Sequence, residues 1–358
     1  RTVTTRTLFC RNVQHHGWEL ALVGSGTAVA VAAIVGALLV GGSVRASLER
    51  SVAGSLRLDG SIVADGVMSY ASGSGGSVYI QAGALTGSGV LSASGGACGD
   101  AGCGSGGRIA VIASTAGFTG SLRAFGGTPD QSNAVRVGAA GTVFLQSPGT
   151  AGALIVDNNA QASASRTTLA GGSYTFDEAD LRRQGFLQIG SSASLATATL
   201  NNALTSDSSG RMEMYGDLNL PPTVALTAAS LSVTSGSLTG VSDLSLSSGS
   251  VVTLSSAPAY VLNGLTVKSG ALLRHRANST ANDSWLDLKV TTLTVEAGGR
   301  IAVDGLGYTK GNGPGAGSGS SGGGHGGVGG NGNAGWGGGV YDSDLEPALL
   351  GSGAGPNS

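Results

Sequence analysis

The sequence predicts an all-β fold, a right-handed parallel β-helix in which short strands stack as the rungs of a solenoid. A short unit recurs: Leu, any residue, Val or Leu, two small or polar residues, then Gly. Apolar residues at alternate positions share one face of a strand, and the Gly permits a corner. Such a strand-and-corner unit, repeated at a loose interval, is typical of solenoids. The units begin at Leu231, Leu244, Leu265 and Leu293, so they are 13, 21 and 28 residues apart.

Composition supports the same fold class. The chain has 358 residues, of which 65 are Gly, and only 11% are charged and 4% aromatic. An ordinary domain carries about a quarter charged residues. A solenoid needs few large side chains, because each rung buries only a narrow interior. The net charge of −2 argues against a nucleic-acid partner, which would require a basic surface.

The recurring unit also predicts which side chains point inward. The intervening positions are mostly Ser and Thr, which suit the outer face, so the first and third residues of each unit should face the core. The predicted inward set is Leu231, Val233, Leu244, Leu246, Leu265, Val267, Leu293 and Val295.

The chain divides into four segments: residues 1–50, 51–310, 311–340 and 341–358. The first contains an uncharged stretch over 20–44. Four interpretations stay open for it: a signal anchor or transmembrane helix, a signal peptide cleaved near Val44, buried β-structure, or a region read in the wrong frame. The chain lacks an initiator Met and ends within a Gly-rich run, so we expect a fragment whose last segment, 341–358, begins a further unit.

The β-helix is predicted over 51–310, and its first rungs repeat closely. A strand follows glycine at Gly75, again at Gly106 and again at Gly141. Each is expected to be followed by a second strand of the same rung, the third of these being Leu154–Asn158. The loops 97–105 and 128–138 are expected to bulge outward between rungs.

The segment 166–186 carries the densest charge of the chain. It is also the least repetitive part of the chain, and we expect one or two helical turns over 177–183, capped by Asp177. The charged residues are Asp177, Glu178, Asp180, Arg182 and Arg183.

The segment 311–340 is glycine-rich, with 17 Gly between 311 and 339. Runs of this kind are usually flexible linkers. They also pack as extended strands, because missing Cβ atoms allow close approach of two backbones. Both interpretations stay open at the level of sequence.

The repeats resemble a known group of proteins. The runs Gly75–Gln81, Gly106–Val111, Gly141–Gln146 and Leu154–Asn159, together with Gly298–Gly305, are similar to the glycine-rich β-helix repeats of large bacterial secreted and surface proteins. Those proteins are adhesins and the passenger domains of autotransporters. The resemblance covers about residues 54–355. It implies the β-helix fold and a surface location, and it carries over no catalytic residue.

Little in the sequence predicts chemistry. β-Helix enzymes that act on polysaccharides require clustered carboxylates, for which the candidates are Asp177, Glu178 and Asp180 beside the two arginines. A solvated group of mutually neutralising charges is the favoured interpretation of this cluster. We expect no metal site and no cofactor. Cys98 and Cys103 are close enough in sequence to form a disulfide, and two exposed thiols are the alternative.

The sequence therefore predicts a non-catalytic structural or adhesive segment of a long extracellular or cell-surface bacterial protein. Such a segment acts as a rigid spacer or a surface-contact module. The alternatives are a polysaccharide lyase or hydrolase, and a glycan-binding module without turnover. The expected partners are surface glycans or other cell-surface proteins, with no nucleic acid, and with a membrane only through the N-terminal hydrophobic segment.

Overall fold

The fold is all-β, as the sequence predicts. The computed structural model describes residues 46–47, 52–130, 135–207, 209–226, 230–255 and 259–358, and no helix occurs within these ranges. The strands in the first half are β1 Ala46–Ser47, β2 Val52–Arg57, β3 Ser61–Val63, β4 Ser77–Gly87, β5 Val90–Ser92, β6 Arg108–Phe118, β7 Ser121–Arg123, β8 Thr142–Gln146, β9 Ala153–Asp157, β10 Thr167–Leu169, β11 Gly172–Arg182 and β12 Phe186–Ile189. Those in the second half are β13 Ala196–Ser206, β14 Arg211–Asn219, β15 Thr223–Leu226, β16 Ser230–Ser235, β17 Leu238–Thr239, β18 Asp243–Leu246, β19 Val251–Leu254, β20 Tyr260–Val267, β21 Leu272–His275, β22 Leu288–Val295 and β23 Arg300–Ile301.

Nearly all of these strands pair in parallel with a strand about one tier away in sequence. The largest sheet has 16 strands and follows the order β1-β4-β6-β8-β9-β11-β13-β14-β16-β19-β21-β23 along its longest path. Two smaller sheets have the orders β15-β18-β20-β22 and β3-β5-β7. Long parallel sheets stacked in sequence order are the arrangement expected of a β-solenoid.

The predicted inward register is confirmed for six of the eight positions. Leu231, Val233, Leu244, Leu246, Leu265 and Val267 are at most 3% exposed. They stack because the ladder aligns each unit with the next, as in the pairing of Leu244 with Leu265 and of Leu246 with Val267.

The prediction is wrong for the last unit. Leu293 and Val295 are 51% and 45% exposed, although they keep the register and pair with Leu265 and Val267. The reason is topological: β22 is the terminal strand of its sheet, and no further strand within the described residues covers it.

Two separate cores lie on opposite faces of the largest sheet. β8 and β9 pair antiparallel, which reverses the strand direction at this point. Directly opposed residues share a face, and Val143 with Ile155 belongs to the smaller, N-terminal core. The neighbouring pair, Phe144 with Leu154, belongs to the larger, C-terminal core. The core therefore passes from one side of the sheet to the other across this hairpin.

The hairpin and the strand after it correct two sequence predictions. Residues 154–158 do not form the second strand of a rung, because β9 folds back on β8 within the same sheet. The expected helical turns at Asp177 do not form either. Residues 172–182 are the strand β11, which pairs in parallel with both β9 and β13. Phe176 and Ala179 of this strand are buried, so its alternation was masked by the charges around them.

Glycine allows backbones of neighbouring tiers to touch in the N-terminal half. A Cβ atom on Gly107 would lie 1.9 Å from the carbonyl oxygen of Gly76, and one on Gly141 would lie 1.9 Å from that of Gly107. The same contacts carry hydrogen bonds, since Arg108 N–H donates to Gly76 O at 2.9 Å. Residues 97–105 and 128–130 join this stacking through the bridge between Cys98 and Pro129, rather than bulging freely, and residues 131–134 of the second predicted loop lie outside the described residues.

The glycine-rich segment packs on itself, which favours the second of the two interpretations given above. Gly322 N–H donates to Gly330 O, Gly329 N–H to Gly338 O, and Gly338 N–H to Gly322 O, all at 2.8–2.9 Å. A Cβ atom on Gly337 would lie 1.7 Å from Gly329 O, so no side chain fits there.

The N-terminal hydrophobic prediction lies almost entirely outside the described residues. Of residues 1–50, the structure describes Ala46 and Ser47, which pair with Val78 and Tyr79. Among the described residues there is no helix of the length and hydropathy that crossing a bilayer requires.

The register yields a matched pair of substitutions. Leu265→Ala should lower the free energy of unfolding by about 2–5 kcal/mol, because Leu265 is 1% exposed and leaves a cavity. Leu293→Ala, at the same place in the exposed last unit, should cost less than about 1 kcal/mol. Urea unfolding followed by circular dichroism measures both, and equal losses would contradict the assigned register.

A second pair tests the glycine contacts. Gly107→Ala should destabilise the fold by about 1–3 kcal/mol, because the new methyl group meets a backbone carbonyl that cannot move aside. Gly99→Ala is the control, since nothing lies within 4 Å of the position where its Cβ would be. Thermal unfolding of the two variants distinguishes them, and a neutral Gly107→Ala would refute the close approach.

Candidate functional site

The charged cluster is centred on a buried carboxylate that the sequence analysis did not select. Asp157, at the end of β9, is 7% exposed. The Nε–H of Arg183 donates to both carboxylate oxygens of Asp157, at 2.9 and 3.0 Å. Arg182 Nε lies 3.4 Å from the same carboxylate. Arg183 also lies over the Phe125 ring at 5.3 Å, a cation–π contact between the two halves of the fold.

Asp177 and Glu178 have structural partners of their own. Asp177 accepts hydrogen bonds from Ala151 N–H at 2.9 Å and Gly152 N–H at 3.0 Å, and from the Asn201 side chain at 3.0 Å. The Asn201 hydrogen bond and then the backbone donors hold the pKa of Asp177 below its usual value. Glu178 accepts from the Thr205 hydroxyl at 2.9 Å. The Asp177 side chain thus connects β11 to the turn between β8 and β9, because it accepts hydrogen bonds from two backbone N–H groups of that turn.

The pKa of Asp180 is raised above its usual value. Asp180 pairs in register with Ile155, whose side chain packs on the N-terminal core, and its own side chain is 24% exposed. Burial raises the pKa of Asp180, and the charge of Arg182, at 3.4 Å, partly offsets this.

The position of the cluster explains its role in the fold. Leu122, Ala124, Val143 and Ile155 form the last layer of the N-terminal core, and Asp157 and Arg182 close over them. The cavity left between them is about 10 Å³, room for about one water molecule. Asp157 and Arg182 therefore cover the end of the N-terminal core, at the position where a further rung would otherwise lie.

A second candidate site is a polar groove beside the stacked glycines. Its volume is about 290 Å³ and it crosses four tiers, around residues 74–77, 105–108, 139–142 and 166–168. Glycine backbone forms the floor, and hydroxyl groups and two arginines form the walls. Arg166 is bound to Glu213 at 2.6 Å. Arg108 has no ion pair or side-chain hydrogen bond within the part of the chain that the structure describes.

Cys98 and Cys103 are joined through their sulfur atoms, with Cα atoms 4.9 Å apart. Cys98 is fully buried, and its backbone bridges Ser69 in the tier above and Pro129 in the tier below. The linked loop is thus part of the stacked wall and presents no exposed thiol at Cys98.

Sequence reasoning found the charged cluster but missed its central residue, Asp157, and it also missed Arg108 of the polar groove. Asp157 follows the apolar run Leu154–Val156, in which Leu154 and Val156 are buried, and a carboxylate directly after such a run is a signal of a buried partner. Arg108 follows a glycine pair, as Ser77 and Thr142 follow glycine in the flanking tiers, and this alignment of three tiers predicts a shared groove wall. Among the described residues, no three His, Cys, Asp or Glu side chains lie close enough together to hold a metal ion.

Comparison with known proteins gives no relative: no family model, no curated protein and no solved structure matches the chain.

The raised pKa of Asp180 predicts a pH dependence. The folded state binds the proton of Asp180 more tightly than the unfolded state, so the stability from this group is lost as pH rises through its folded pKa. Asp180→Asn mimics the protonated form and should match or exceed the parent stability at pH 7, by less than about 1 kcal/mol, since the side chain is partly solvated. The difference in the free energy of unfolding between Asp180→Asn and the parent should vanish at a pH below the ordinary pKa of Asp. An Asp180→Asn variant that is less stable than the parent at pH 7, but equally stable at low pH, would contradict this prediction.

Proposed function

We propose that the chain is a non-catalytic structural segment of a long extracellular or cell-surface bacterial protein, serving as a spacer or surface-contact module. One observation carries the proposal: three carboxylates of the charged cluster are bound by groups from other parts of the stack. Asp157 is bound by Arg183, Asp177 by two backbone N–H groups, and Glu178 by Thr205. A carboxylate pair for sugar hydrolysis would instead face an open cleft.

The finer features of the proposal rest on the architecture and on the resemblance of the repeats to adhesins and autotransporter passenger domains. We take the coil to be a right-handed parallel β-helix, since parallel crossover connections are overwhelmingly right-handed. Twelve strands follow one another along the longest sheet path, which at about 4.8 Å a step makes a rod of roughly 50 Å. The linkage between Cys98 and Cys103 supports an oxidising, extracellular location.

The polar groove favours a second candidate, a module that binds an acidic surface glycan without cleaving it. Arg108 is the observation behind it: its guanidinium has no side-chain partner among the described residues and lies in a groove lined by hydroxyl groups, where it can bind a carboxylate or sulfate. The groove crosses four tiers, which suits a chain of about three sugar units at the usual tier spacing.

One experiment separates the candidates. The purified chain is incubated with pectin, alginate and a sulfated glycan, and both depolymerisation and binding are measured. A spacer should neither cleave nor bind. The glycan module should bind without cleavage, and Arg108→Ala should weaken that binding at least tenfold, the value of a charge-assisted contact.

Matched controls make each outcome specific. Arg123→Ala removes an exposed arginine of β7, outside the groove lining, and should leave binding unchanged. Cleavage that disappears in Asp180→Ala would overturn the proposal and establish an enzyme that uses the acidic cluster.

A further inference from the structure

The C-terminal strand stack has one continuous polar face. β14, β16, β19 and β21 pair in parallel in that order. Buried and outward residues alternate along each strand, as in β14, where Met212 and Met214 enter the core. The outward positions of the four strands are aligned tier by tier, and we call them the outer face. Its residues are Arg211, Glu213 and Tyr215 of β14, Ser230 and Ser232 of β16, Val251 and Thr253 of β19, and Leu272 and Arg274 of β21.

Arginines without an ion pair collect at the outer face. Among the described residues, the arginines outside any ion pair are Arg108, Arg123, Arg211, Arg274 and Arg276. The last three lie at the outer face, with Arg276 directly after β21. Arg211 is exposed and lies over the Phe186 ring at 5.3 Å. Arg274 Nε donates to the Thr253 hydroxyl at 3.1 Å, and neither contact supplies a negative charge.

The single acidic residue of the outer face is already bound. Glu213 accepts a hydrogen bond from Arg166 at 2.6 Å and one from the Tyr215 hydroxyl at 3.1 Å. Burial and the hydrogen bond with Glu213 raise the pKa of Tyr215, and the charges of Arg166 and Arg276 partly offset this rise. The charge of Arg276 therefore acts on β14 although the residue follows β21. The outer face thus has three uncompensated guanidinium groups, in a chain whose net charge is −2.

The spacing of these charges indicates a polymeric partner. β16 and β19 lie between β14 and β21, so at about 4.8 Å a step the arginines of the two outer strands are roughly 14 Å apart along the stack. A single small anion cannot contact both. Between them lie the hydroxyl groups of Ser232 and Thr253 and the partly exposed side chains of Val251 and Leu272. Hydroxyl groups and short apolar side chains suit sugar rings, whereas single-stranded nucleic acids are bound by aromatic side chains that stack on the bases.

We propose that the outer face binds an extended acidic polysaccharide that runs along the stack, with one anionic group at Arg211 and another at Arg274 and Arg276. The inference rests on the surface-contact role proposed above and adds a second site to it. The site lies beyond the polar groove on the same wall, since β10 of the groove pairs with β12 and β12 pairs with β14. Guanidinium groups bind carboxylates and sulfates through charge-assisted hydrogen bonds. The two anchors act jointly, because binding at one raises the effective concentration of the ligand at the other.

Calorimetric titration of the chain with alginate oligomers of defined length tests the proposal. The parent chain should bind an octasaccharide at least about tenfold more tightly than a disaccharide, which is too short to reach both anchors. Arg211→Gln and Arg274→Gln should each weaken octasaccharide binding about threefold to tenfold, the value of a partly solvated charge contact. Arg211→Lys keeps the charge and should retain most of the binding. Arg123→Gln is the matched control, because Arg123 is also exposed and unpaired but lies in β7.

Several outcomes would overturn the outer-face site. They are an octasaccharide that does not bind, one that binds no better than the disaccharide, and binding that ignores both Arg211→Gln and Arg274→Gln. Binding that is lost in Arg108→Ala alone would place the glycan in the groove instead, and would leave the non-catalytic proposal intact. A single-stranded polynucleotide that binds the outer face as tightly as the octasaccharide would overturn the choice of polysaccharide. Cleavage of the octasaccharide would contradict the proposed function, and the arginine variants would still report on the site separately.

Discussion

The antiparallel pairing of β8 with β9 is the constraint on which the rest of the architecture depends. Before it, apolar residues at odd positions such as Val143 point into the small core; after it, Leu154 and Val156 point to the opposite side. The sheet stays continuous across this pair, although the strand direction reverses and the core changes to the other face. Each core therefore ends at the hairpin, where no further rung covers its last layer. Asp157 and Arg182, whose charged groups are 3.4 Å apart, cover that end of the small core. On the other side of the sheet, Phe144 meets Phe176 edge to face, with ring centroids 6.0 Å apart. The charged cluster is thus a consequence of the reversal, and this explains why acidic residues gather here in a chain that otherwise has few.

The sequence predicted the repeating strands well because their signal is local. In the units at Leu231, Leu244 and Leu265, alternation and a following glycine determine both the strand and its inward face. β11 could not be predicted in this way, because Asp177, Glu178 and Asp180 break the apolar pattern for reasons that lie in other strands. Asp177 is held by the β8–β9 turn and Asp180 by Arg182 beside Asp157. The exposure of Leu293 could not be predicted either, because the local pattern of its unit is the same as that of Leu265, and only the end of the sheet distinguishes them.

Glycine has two different uses in the two halves of the chain. In the N-terminal half it lines the tier contacts around Gly107, where a methyl group would collide with the carbonyl of the tier above. Beyond residue 306 it forms a packed segment that hydrogen-bonds to the strand stack through Asn278 N–H to Leu306 O and Thr309 N–H to Ser279 O. Composition alone does not distinguish this segment from a flexible linker, because both need residues without side chains. The distinction depends on which carbonyl each glycine meets.

The exchange of faces at the β8–β9 hairpin has a consequence for how such a chain changes length during evolution. Each tier touches only the tiers next to it, so a tier inserted or deleted in either half leaves the residues of the hairpin and their partners unchanged. The two halves share a sheet but not an interior, and a register error in one core has no direct path into the other. Duplication of tiers can therefore lengthen one half of the solenoid while the other half keeps its packing. The β8–β9 hairpin stays unchanged between two halves that vary in length independently.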